Sequence, residues 1–374
     1  MSASSGTSSA SSGSRDAAAA RPRLFADGIG GLFPGYFALV MATGIVSIAC
    51  RLSGLEWLAW SLLWLNLIAY PVLWLATILR FVRYWPRVRA DLLDHGRAPG
   101  FFTVVAGTSV LGAQLLVLGA GPGAPWALWF ATLALWAVVT YGFFAIVTVK
   151  QDKPPIETGL NGAWLIAVVA TQSVPVLGAL LARDLPPGPA RQAVLFVCLC
   201  LFFVGCLLYL VLITLILYRF IFFRFTSVQL APPYWINMGA VAITTLAGAN
   251  LLAVAPSWLF LESMAPFLRG LTMLFWAMAT WWIPLLVILG VWRHGIQRLR
   301  LGYDPQYWGL VFPLGMYTTC TIRLAAALDL PFLLRIAHGF LYIAIAAWGL
   351  TFAGFVLGLA KIAKRGAAAS AGLM

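Results

Sequence analysis

The chain has 374 residues, 62% of them hydrophobic and only 9% charged, with a formal net charge of +13. Soluble domains carry roughly a quarter charged residues, so this composition excludes a soluble enzyme or binding module and indicates an integral membrane protein whose partner is the lipid bilayer. The Lys and Arg residues sit in short groups between long apolar runs, which argues against nucleic acid as a partner and for orientation in a membrane.

Residues 1–28, opening "MSASSGTSSASSGSRDAAAA", are small and polar and lack the apolar stretch of a cleaved signal. They read as a disordered cytoplasmic tail. A spanning helix needs about 20 mostly apolar residues. On that rule spans fall near 32–53, 56–82, 99–120, 124–149, 160–182, 191–220, 233–255, 262–291, 306–327 and 331–360. The transmembrane domain then covers 29–365, and 366–374 forms a second short cytoplasmic tail. With ten spans both ends lie on one side, and basic residues decide which side. Arg51, Arg183, Arg191, Arg269 and Arg335 fall outside, Arg323 lies within a span, and every other Lys and Arg is inside if the termini are cytoplasmic.

The spans alternate in kind. Odd-numbered ones are shorter and rich in Gly, Thr, Ser, Asn and Gln, whereas even-numbered ones are longer and loaded with Leu, Trp, Phe and Ile. Each odd span opens with an aromatic after a Pro or Gly turn: Tyr36, Phe102, Trp164, Trp235 and Trp308, spaced 62 to 73 residues apart. That near-constant period predicts one helical hairpin repeated five times. Lipid cannot satisfy hydroxyls and amides, so the odd helices should lie inside and the even helices should face acyl chains.

Function classes narrow by what the spans lack. All eleven acidic residues fall in the tail, loops or span ends, which favours a passive passage over tight proton coupling. His95, His294 and His338 lie in loops or near span ends, so no pair within the spans could ligate haem. "GAGPGAP" at 119–125 lacks the Lys and Ser/Thr of a phosphate loop and reads as a turn. The five cysteines sit in apolar runs with no CxxC pair and read as plain buried thiols. No catalytic residue, metal ligand or cofactor is indicated.

Several polar residues of the odd spans are candidates to contact a solute. Thr43, Thr108, Thr171, Gln172, Asn237, Thr244, Thr318 and Thr319 supply neutral hydroxyl and amide groups that suit weak, rapid replacement of an anion's water. The competing reading is that the hydroxyls bond back to their own helices. Asn161 reads equally as a cap of the fifth span. In "YWGLVFPLGMYTTCTIRLAAAL", Pro313 cannot donate a backbone hydrogen bond and should kink the helix near Gly309, turning Phe312 toward the interior. Phe312 is either a constriction or ordinary packing. Arg323 is costly in a lone helix, so it faces a polar interior, pairs with Asp329 or reaches the headgroups.

The segments "FPGYFALVMATGI", "GAWLIAVVATQSV" and "WGLVFPLGMYTTCTIRLA" resemble the tellurite-resistance/dicarboxylate transporter family, which includes plant slow anion channels and fungal malate and sulfite transporters. The resemblance covers the chain after residue 28. It implies an all-α fold of ten transmembrane helices as five tandem hairpins with quasi-fivefold symmetry around a central pore, assembled as a homotrimer. By position in the "FP" pair it also implies that Phe312 plugs the pore; Pro313 then reads as its backbone support and Arg323 as an attracting charge at the mouth. The expected function is passage of small inorganic or carboxylate anions across the inner (plasma) membrane. The alternative is a proton-linked C4-dicarboxylate (malate) carrier or a sulfite or tellurite exporter on the same scaffold.

Overall fold

The protein is described here by a computed structural model covering residues 26–227, 229–299 and 302–371. Of the expected 1–28 tail, residues 1–25 lie outside that range. Ten helices among the described residues are long and apolar enough to cross a bilayer. Their α-helical parts, to which a leading 3-10 turn adds length on the odd-numbered spans, are α1 (Ala38–Leu52), α2 (Glu56–Arg83), α3 (Phe102–Val117), α4 (Gly123–Val149), α5 (Ile166–Ala182), α6 (Pro189–Phe222), α7 (Ile236–Val254), α8 (Ala265–Val291), α9 (Trp308–Leu328) and α10 (Leu333–Ala371).

Burial follows the alternation of composition. The odd helices have 72 to 94% of their apolar windows buried, whereas the even helices have only 17 to 50%. The odd helices also form a closed ring: α1 packs on α3, α3 on α5, α5 on α7, α7 on α9, and α9 back on α1. Each even helix lies against its own hairpin partner and reaches over to the next inner helix, with α10 reaching α1. Leu- and Trp-rich helices can afford the periphery because lipid tails are as apolar as their side chains.

Every inner helix starts in a 3-10 turn: Pro34–Phe37, Ala98–Phe101, Gly162–Leu165, Pro232–Trp235 and Pro305–Tyr307. Proline suits the first helical positions because its missing N–H has no partner there in any case. Asn161 caps the third turn by accepting from the Ala163 N–H at 2.9 Å, and Asp304 caps the fifth by accepting from Gln306 at 2.8 Å. The five turns contact one another in a second closed ring, so the amino-terminal ends of all inner helices share one face of the protein. Glycine is required there: a Cβ on Gly162 would lie 2.6 Å from the Pro233 carbonyl oxygen.

The structure refines several expectations. A separate short helix, Leu259–Ser263, precedes α8, which starts at Ala265 rather than 262 because Met264 and Pro266 set a new helical start. Helix α10 runs to Ala371, past the expected boundary at 365, where a run of alanines after Gly366 favours continued helix. Four cysteines are buried and all five are free, but Cys200 is exposed on the lipid-facing side of α6. Helix α9 remains continuous through Pro313, whose ring packs against α7 at Gly239, where a Cβ would come within 2.7 Å of the proline Cγ.

Candidate functional site

A small cavity of about 20 Å³ lies between the inner helices and is lined by side chains from all five. That volume admits about one water molecule. Helix α9 contributes Met316, Thr319 and Arg323, α7 contributes Ile243, Leu246 and Asn250, and α1, α3 and α5 complete the wall, with Ser109 and Ser173 among their residues. Spacings of three, four and seven residues keep each set on one face of its helix.

The hydroxyl donors in this cavity are already committed. Ser109 donates to the Ser173 carbonyl at 2.6 Å, Ser173 to Ala170 at 2.7 Å, and Thr319 to Gly315 at 3.0 Å. Asn250 spends one N–H on the Val176 carbonyl at 3.2 Å. Positive charge on the axis therefore comes from Arg323. Its guanidinium forms no salt bridge among the described residues, so of the alternatives the pairing with Asp329 is not made; Asp329 instead sits in a left-handed conformation at the end of α9.

Arg323 also lines two larger spaces at the carboxy-terminal ends of the inner helices. One, of about 410 Å³, is lined by Arg51, Arg183, Asp184 and Arg323 with apolar neighbours. The other, of about 230 Å³, has Arg183, Asn250 and Arg323 in its wall. Three arginines thus surround this mouth, and Arg51 is the one that carries a carboxylate partner, Glu56.

Phe312 lies one helical turn before Met316 on the same face of α9, and it is 1% exposed. One turn before the cavity lining on the other inner helices come Met41, Ala106, Val169 and Gly239, all buried. Phe312 is the bulkiest side chain at that level, between the cavity and the ring of turns.

The other sequence candidates are placed differently. Thr43 accepts from the Trp348 indole at 3.0 Å, Thr171 accepts from Trp136 at 3.0 Å, and Thr108 bonds Tyr70 at 3.0 Å. Each partner belongs to a peripheral helix. Gln172 donates to the Phe202 carbonyl of α6 at 3.0 Å. Asn237 receives the Tyr209 hydroxyl on its backbone carbonyl at 3.5 Å, while both polar atoms of its buried amide lack a partner. Thr244 and Thr318 bond back to Ala240 and Leu314. Of these polar candidates, Thr319 and Arg323 line the axial cavity, and Thr43, Thr108, Thr171, Gln172, Asn237, Thr244 and Thr318 stand off it. The seam bonds run from each even helix to the next odd one, completed by Trp276 to Thr321 at 2.9 Å.

The sequence reading missed Ser109 and Ser173 on the axis and Arg51 and Arg183 at the mouth. Counting back from Arg323 by four, seven and eleven residues reaches Thr319, Met316 and Phe312, a signal that identifies the inward face of α9.

A closed ring of helices around an axial cavity with arginines at one mouth is an arrangement suited to a membrane protein that handles anions. Residues 32–356 match the SLAC1 voltage-dependent anion channel family, and the chain belongs to it. It is a multi-pass membrane protein of an anion-transport family rather than an enzyme. An uncharacterized transporter of Methanocaldococcus jannaschii is 25% identical over 85% of this chain and 90% of its own length. The sulfite efflux pump SSU1 of Trichophyton rubrum is 25% identical over 87% and 90%. An uncharacterized membrane protein of Mycobacterium tuberculosis is 35% identical over 42% of this chain and 80% of its own length.

Proposed function

We propose that the protein passes small inorganic or carboxylate anions along the axis of its five inner helices, as a channel with Phe312 at the constriction. The observation that carries this reading is the stripe Phe312, Met316, Thr319 and Arg323 on one face of α9, which links a bulky seal to a cavity and then to a cationic mouth. Pro313 holds the start of that stripe against Gly239 of α7. Arg323 raises the local anion concentration where the passage widens. The hydroxyls of Thr43, Thr108 and Thr171 support the wall from behind by tying it to the peripheral helices. A quasi-fivefold arrangement accords with the closed pattern of contacts.

The distribution of basic residues supports cytoplasmic termini with the arginine mouth outside, and an inner or plasma membrane is the location proposed. A homotrimer with one passage per subunit is the assembly that the family resemblance implies. The likeness to a sulfite efflux pump over most of both chains favours sulfite export as the second reading.

Purified protein in liposomes separates these readings. Flux of chloride, nitrate, sulfite and malate is measured against membrane voltage and against a pH gradient. Voltage-driven current with no pH gradient supports the channel. Uptake that collapses when the pH gradient is dissipated supports a proton-linked carrier, and no flux of any anion above protein-free liposomes rejects both.

A further inference from the structure

Arg183 and Arg323 line the same two cavities, and neither has a carboxylate within salt-bridge distance among the described residues. Two like charges around one partly enclosed space repel each other unless an anion lies between them. The loop that carries Arg183 is held in place: Arg191 donates to the carbonyls of Arg183 and Leu185. Arg51 forms a third corner, turned toward Glu56, and Asp184 is the carboxylate that lines the larger cavity.

Guanidinium groups are planar forks that match anions presenting two or more oxygens, whereas a halide offers each fork a single point of contact. We infer that Arg183 and Arg323, with Arg51 beside them, form a binding site for a divalent oxyanion at the mouth, separated from Phe312 by the axial cavity. The spaces of about 410 and 230 Å³ leave room for such an ion with part of its water. The inference deepens the proposed passage and rests on it for its meaning in transport, where the site would favour divalent oxyanions over halides. Binding itself does not depend on conduction.

The test uses the full chain purified in detergent, so that both mouths are accessible, with radiolabelled sulfate as the probe and chloride as competitor at constant ionic strength. Saturable sulfate binding that equal ionic strength of chloride does not displace is expected. Arg183→Gln should weaken it about tenfold or more, as the loss of one charged hydrogen-bonding partner implies. Arg183→Lys, which keeps the charge and loses the fork, should fall between. Arg335→Gln, an exposed charge that lines neither mouth cavity, should leave binding unchanged. Absence of saturable binding, or an equal loss in Arg335→Gln and Arg183→Gln, would overturn the site. Retained binding in a protein that passes no anion in liposomes would uphold the site and count against the proposed passage.

Discussion

Trp348 of α10 donates its indole N–H to the Thr43 hydroxyl of α1 at 3.0 Å, joining the last hairpin to the first across 305 residues of chain. Equivalent bonds link Tyr70 to Thr108, Trp136 to Thr171 and Trp276 to Thr321. In hydrocarbon an indole N–H without a partner is costly, so these bonds hold each peripheral helix in register on the ring. Trp348→Phe and Thr43→Val should each lower stability by about 1 kcal/mol, and the double variant should be little worse than either. Thermal unfolding in detergent measures this. A Thr43→Val protein with altered anion flux beside an unaffected Trp348→Phe protein would show that Thr43 serves the solute instead.

Phe312→Ala should raise anion flux in liposomes, because the bulkiest side chain at its level is removed. Truncating a buried phenylalanine also costs about 3–5 kcal/mol, so Phe312→Leu serves as a milder variant with an intermediate increase. Unchanged conductance in both, with folded protein shown by gel filtration, would assign Phe312 to packing.

Gly239 and Gly309 make a matched pair. A methyl on Gly239 would stand 2.7 Å from the Pro313 Cγ, whereas one on Gly309 would meet its nearest neighbour at 3.7 Å. Gly239→Ala should therefore destabilise by about 1–3 kcal/mol through overpacking. Gly309→Ala should be neutral or stabilising by up to about 1 kcal/mol. Equal unfolding midpoints for the two variants would contradict the close seating of Pro313 on α7.

His95 lies in the loop before the second 3-10 turn, where burial, and next the Lys150 charge, hold its imidazole below the ordinary histidine range. A base with a lowered folded-state pKa binds protons more readily when unfolded. Its contribution to stability is therefore intact above about pH 6.5 and falls as pH drops through that value toward the folded pKa. His95→Gln should flatten the acid side of the stability profile, measured as unfolding midpoint from pH 8 to 5. A profile as steep as that of the unaltered protein would place the acid sensitivity elsewhere.

The ten spans, the hairpin repeat and the sorting of polar-faced helices inward were legible because each depends on composition summed over about 20 residues. The angular position of a single side chain was not. Thr43 and Ser109 are both hydroxyl residues on inner helices, yet one bonds a peripheral tryptophan and the other lines the axis. Which way each points depends on the phase of its helix against two neighbours. Arg51 and Arg183 read as loop charges for a related reason: their convergence around Arg323 arises only when the ring closes and brings the ends of α1, α5 and α9 to one mouth.

The common orientation of the five inner helices has an electrostatic consequence. Their aligned peptide dipoles place roughly half a positive charge per helix at the ring of turns and roughly half a negative charge per helix at the opposite end. Five parallel helices would thus present a repulsive potential to any anion arriving at the carboxy-terminal face. Arg51, Arg183 and Arg323 stand there, and although Glu56 and Asp184 offset part of their charge, the positive remainder opposes part of that negative potential. The arginines thus weaken, at that face, a field that would otherwise turn anions away.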